Sequence, residues 1–204
     1  MLGRPIRLAV AVMLALGLLP MSGAVAAPAD LFFSEYVEGS GNSKALEIYN
    51  GTAEDVDLAA AGYVVQVFFN GNLVAGSTIP LAGVVASRDV WVLADDESAS
   101  ALLALADQTT TEFLFNGDDA AVLRKGGEGG QIVDVIGQIG FDPGDEWGSG
   151  LISTQNNTLR RRPSVIRGDT NAFDDFAANL DAVSGEWDGF PQDTFAGLGQ
   201  HVTN

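Results

Sequence analysis

Short β-prone runs broken by turn residues restrict what this chain can fold into. The strongest is Tyr63–Phe69, where valines and aromatics suit a pleated surface better than a helix. Leu31–Val37, Ala45–Tyr49, Val90–Ala94, Ala120–Arg124, Gln131–Gly137 and Thr158–Arg161 are weaker versions of the same signal. Glycine, asparagine and proline stand between them, and no helical period is sustained. The pattern predicts an all-β sandwich or barrel. Asn70-Gly71 reads as a type I′ hairpin turn, because both residues tolerate positive φ. Its return strand is expected from Leu73 to about Ile79, stopped by Pro80. Gly126–Gly130 reads as a second hairpin turn, and Val56–Leu58 as a short strand. Ser98–Leu105 is the one short peripheral helix expected, with Ser98 as its N-cap. Phe173–Asn179 reads as a helical turn inside an irregular C-terminal tail.

The first residues carry a different signal. Arg4 and Arg7 precede the apolar stretch Leu8–Leu19, and Ala24-Val25-Ala26 has the small residues of a cleavage site. Residues 1–26 therefore read as a signal peptide and 27–204 as one domain, periplasmic or extracellular. After cleavage, no membrane association is expected. The sequence has no cysteine, so disulfides, thiol catalysis and Cys-based zinc sites are excluded. The net charge is −17, and loss of the two leader arginines makes it −19. A field of that sign repels nucleic acid backbones.

Two distant segments hold the informative charges. Glu35 lies in the run beginning at Leu31, and Lys44 and Glu47 follow the loop Gly39–Ser43. Arg160 and Arg161 lie in the late strand. Carboxylates inside apolar strands need partners. These five residues are read as a structural ion network tying first and last strands. Ser34-Glu35-Tyr36 followed by Lys44-Ala45, Glu47 and Tyr49-Asn50 resembles the opening of the lamin-tail-like domains found at the front of large secreted bacterial nucleases. Asn116-Gly117-Asp118-Asp119-Ala120, Asp134-Val135-Ile136-Gly137, Trp147-Gly148, Asn157, Leu159-Arg160-Arg161 and Trp187 to Thr194 continue the resemblance in order. It spans about Leu31 to His201 and implies an immunoglobulin-like sandwich.

Other constellations are weaker. Asp118-Asp119 and Asp142 with Asp145 are candidate calcium loops, since calcium takes several oxygen ligands, but neither has EF-hand spacing. Their residues are also ordinary turn formers. No other cofactor is indicated. Arg160, Arg161 and Arg162, with Arg167, form the one basic cluster. Non-specific DNA binding typically neutralises roughly six to ten phosphates, so nucleic acid is not expected as a partner by itself. Gly39–Lys44 lacks the Ser or Thr that completes a phosphate loop. Trp91, Trp147 and Trp187 read as packing residues.

The single histidine, His201, sits near the chain end, and no Gly-x-Ser-x-Gly elbow occurs. The nuclease domain that accompanies this module elsewhere needs several histidines that the sequence does not hold. A carboxylate-only glycosidase needs only two acids, but nothing marks a raised-pKa acid facing a nucleophile. The expectation is an exported, non-catalytic module that binds a protein or extracellular polymer. The rivals are a truncated or accessory part of a metal-dependent nuclease and a calcium-stabilised adhesion module.

Overall fold

The computed structural model describes residues 30–174 and 185–204. The expected signal peptide lies outside these residues, as does Phe173–Asn179 beyond Asp174. In chain order the strands are β1 (Phe32–Glu38), β2 (Lys44–Tyr49), β3 (Val56–Asp57), β4 (Val64–Phe68), β5 (Ser77–Pro80), β6 (Val84–Val85) and β7 (Val90–Asp95). They continue as β8 (Gln108–Thr110), β9 (Ala120–Lys125), β10 (Gln131–Ile136), β11 (Gly148–Ser149), β12 (Ile152–Ser153), β13 (Asn157–Arg161) and β14 (Trp187–Pro191). Among the described residues two α-helices of one turn each, α1 (Leu58–Ala61) and α2 (Ser100–Leu103), interrupt them.

The larger sheet runs β14-β13-β1-β2-β7-β8 and the smaller β10-β9-β4-β5. Every pairing in them is antiparallel except β7 with β8. The facing sides bury Phe33, Tyr36, Leu46, Ile48, Val65, Leu123 and Trp187 in one core, so the immunoglobulin-like sandwich is correct. The larger sheet is covered on its other side too. Val37, Ala45, Val92 and Ala94 pack there against Leu102 and Leu198. This double cover explains why every residue of β1 and β2 is buried. A register shift between Phe33 and Glu35 turns both Ser34 and Glu35 toward the outer side, where they meet Glu47.

Four expectations need correction. Leu58 opens α1 instead of closing a strand, because the Asp57 carboxylate accepts the Ala60 amide at 2.9 Å and Gly62 ends the turn at φ 69. The helix at Ser98–Leu105 is only Ser100–Leu103. Ser98 does not cap it: its hydroxyl donates to the Asn42 carbonyl, and Ser43 Oγ accepts the Ala99 amide instead. Asn70 and Gly71 do take positive φ, but β5 starts at Ser77 and Leu73 and Val74 stand exposed. The Asp119 carboxylate draws the Asn70 amide into a neighbouring loop, and the ring of Phe69 lies over Gly76, so the turn widens. Finally, the tail is not irregular throughout. Trp187–Pro191 forms the edge strand β14, paired residue for residue with β13.

Candidate functional site

The strand order brings the distant charged segments side by side. Arg160 lies opposite Glu35 in the β1–β13 ladder, and Glu47 lies opposite Glu35 on the other side. Arg160 Nε donates to Glu35 at 2.8 Å, and its guanidinium also covers the Phe190 ring. Burial raises the Glu35 pKa, and Arg160 opposes that rise.

Glu47 differs from its expected role. No ion pair reaches it among the described residues. Ser34 Oγ donates to one carboxylate oxygen at 2.6 Å and the Gly199 amide to the other at 2.7 Å. Burial, with the nearby Glu35 charge, pushes its pKa from 4.5 to about 7 despite those hydrogen bonds. Lys44 also departs from expectation. It pairs with Glu38 at 3.1 Å, and Glu38 in turn accepts the Asn156 amide.

Arg161 forms a second centre, fully inside the protein. Its guanidinium donates to Asp134, to Glu186 at 2.8 Å and to the Phe33 carbonyl. It lies against the rings of Trp187 and Phe32. Burial alone would lower its pKa, but the two carboxylates outweigh this and keep it a cation. Asp134 also accepts the amides of Phe33, Val135 and Asp169. Burial pushes the Asp134 carboxyl up, and Arg161 with the Asp169 and Phe33 amides opposes that rise. The pair stitches β10 of one sheet to β1 and β13 of the other. Sequence reasoning missed Asp134 as a charge centre, although an aspartate inside the apolar run Val133–Ile136 was a usable signal. It also missed Glu186 and Glu38, which sit beside turns and carry no local mark.

The C-terminal residues close over the outer side. Gly197 has no room for a side chain above the Arg160 guanidinium. His201 packs edge-on to Tyr49, with ring centroids 4.8 Å apart, and to Phe32 at 5.9 Å. Burial, reinforced by Arg161 and Arg160, lowers its pKa to about 4. It is a docked neutral ring rather than a mobile end.

The candidate calcium residues do not converge. Asp119 receives the amides of Asn70 and Asn116 on its two oxygens, and Asp142 receives that of Gly144. These are turn-bracing roles. Among the described residues no group of three or more His, Cys, Asp or Glu side chains is arranged to hold a metal. Trp147 and Trp187 are buried and Trp91 is half-buried. Arg162 is paired with Asp188 at 2.9 Å.

No curated protein and no solved structure matches the chain. A family model, described as Lamin Tail Domain, matches residues 24–140. That span runs through β10 and stops before β13 and β14, the strands that complete the larger sheet. It covers more than half of the 204 residues and agrees with the sandwich topology, so the chain belongs to the lamin tail domain family.

Proposed function

We propose that the protein is an exported, non-catalytic lamin-tail module that binds a protein or polymer partner in the periplasm or outside the cell. One observation carries this reading. The charged groups that the sequence offered for chemistry are engaged in holding the fold. Arg160, Arg161 and Arg162 are all paired with carboxylates, and Asp119 and Asp142 brace backbone amides. The strong negative charge and the paired arginines weigh against nucleic acid as a partner. The resemblance of the Ser34–Asn50 segment to modules that precede secreted nucleases supports an extracellular setting.

The purified protein is expected to leave plasmid DNA intact with magnesium, manganese or calcium, and to leave the anisotropy of labelled DNA unchanged at physiological salt. Metal-dependent cleavage that copurifies with the protein, and disappears in the Asp118→Asn, Asp119→Asn double variant, would sink the non-catalytic reading. Calcium is expected to leave the melting midpoint unchanged. A rise with calcium favours the adhesion-module alternative.

A further inference from the structure

We propose that the end of the sandwich formed by the β4–β5, β8–β9 and β10–β11 loops is the docking surface, and that its partner is a protein segment mixing large apolar with basic side chains. This rests on the binding reading above and names where and what the module binds.

Strand directions put these three loops at one end. β4 ends opposite the start of β9, β10 ends there too, and the segment after β8 leads into β9. The loops are in contact. Gly71 sits against the backbone of Phe141 and Asp142, and Leu73 lies over Gly140. Phe69 and Phe113 line one cavity with Lys44 and Asn116, and Phe141 leans on Trp147 with ring centroids 5.7 Å apart.

This end displays side chains that a folded domain ordinarily hides. Leu73 is 73% exposed, Val74 76%, Phe113 80% and Phe141 52%. Large exposed apolar patches mark interaction sites. Glu112 adjoins Phe113, Asp142 adjoins Phe141, and Asp118, Asp145 and Glu146 complete an acidic rim. Among the described residues the only cation at this end is Lys44, which is buried and paired with Glu38. The other cations lie at the opposite end or on the outer side of the larger sheet.

The charge selects the occupant. A second copy would bring an equally acidic rim, and an anionic lipid surface would be repelled. A basic segment is attracted to the rim, and its apolar side chains cover the exposed tips. Apolar contacts at the centre with charges around them match the anatomy of protein interfaces.

The test uses the purified protein and three labelled peptides, alternating Lys-Leu, Lys-Ser and Glu-Leu. The Lys-Leu peptide is expected to bind most tightly and Glu-Leu not to bind. The Leu73→Ser, Phe113→Ser, Phe141→Ser variant keeps the charge and is expected to weaken Lys-Leu binding by at least about tenfold. Its melting midpoint should match the parent, since the three side chains contribute little to the core.

Equal binding of Lys-Ser and Lys-Leu, or an unchanged affinity in the variant, overturns the proposal. Two other results also overturn it: a parent dimer in sedimentation that the variant abolishes, and capture by phosphatidylcholine vesicles that the variant abolishes. The broader module reading fails separately. A partner identified by crosslinking that binds parent and variant alike leaves that reading standing and moves its site elsewhere.

Discussion

Arg161→Ala is expected to lower the melting midpoint by roughly 6–20 °C. The substitution leaves Asp134 wholly buried without its counter-charge, and breaking such a pair costs about 3–5 kcal/mol. Domains of this size shift by roughly 2–4 °C per kcal/mol. Glu186 and the Phe33 carbonyl lose the same donor. The double variant Arg161→Met, Asp134→Leu should recover part of the loss, because no orphaned charge remains. Removing both groups also unpairs the amides of Phe33 and Asp169, so recovery stays incomplete. Differential scanning calorimetry of the two variants beside the parent decides this. A midpoint within about 2 °C of the parent for Arg161→Ala, or a double variant worse than the single one, removes Arg161 from the centre of the fold's stability.

The second large effect is a pH dependence hidden by two opposed groups. Glu47 has a folded pKa of about 7 against an ordinary 4.5. Between those values the folded protein holds a proton that the unfolded chain releases. Its contribution to stability therefore falls as pH rises through this window and is flat above it. His201 has the reverse sign. Its folded pKa of about 4 against 6.5 makes the unfolded chain the better proton binder, so its contribution falls as pH drops through that window. Each shift corresponds to about 3 kcal/mol at most before solvent screening, which discounts the half-exposed histidine further.

Glu47→Gln should raise the midpoint by several degrees above pH 7, where the parent carries a buried charge. The amide can still accept from Gly199 and donate to Ser34 Oγ. Below pH 6.5 this variant should show the His201 slope unmasked. His201→Phe should show the Glu47 slope. Glu35 faces Glu47 directly, with Arg160 on its far side, and the raised Glu35, Asp119, Asp134 and Asp169 add a background of the same sign as Glu47 to every form. Differences between variants are therefore the quantity to read. Glu47→Ala has the opposite expected sign to Glu47→Gln, because it orphans both hydrogen-bond donors. Parallel stability curves for the parent, Glu47→Gln and His201→Phe would falsify this account.

Strands that bury a continuous apolar side were legible. Tyr63–Phe69, Val90–Ala94, Ala120–Arg124 and Gln131–Gly137 each lie within a residue or two of β4, β7, β9 and β10. The pairing of Glu35 with Arg160 was also within reach, since both interrupt strand-like runs. Strand β14 was not legible. Its Gly189 and Pro191 argue against a strand, and only the ladder offered by β13 stabilises one. Glu47 looked like one more member of an ion network because a carboxylate in an apolar strand needs a partner. The sequence gives no sign that the partners are a hydroxyl and a backbone amide 152 residues away. Helix α1 depends on its two caps more than on its four residues, and caps this local are easily read as turn residues.

The central place of β1 between β2 and β13 governs the order in which the sheet can form. β1 pairs at once with β2, its neighbour along the chain, but its other edge waits for residues 125 positions downstream, the separation of Glu35 and Arg160. Closing a loop of that length must precede any reward from the contacts, which makes such pairings slow to nucleate. A chain emerging from its N-terminus therefore shows an unsatisfied β1 edge until the last quarter of the sequence is free. The larger sheet is therefore completed last, by β13 and β14, and any product ending before Asn157 keeps that edge open to other chains.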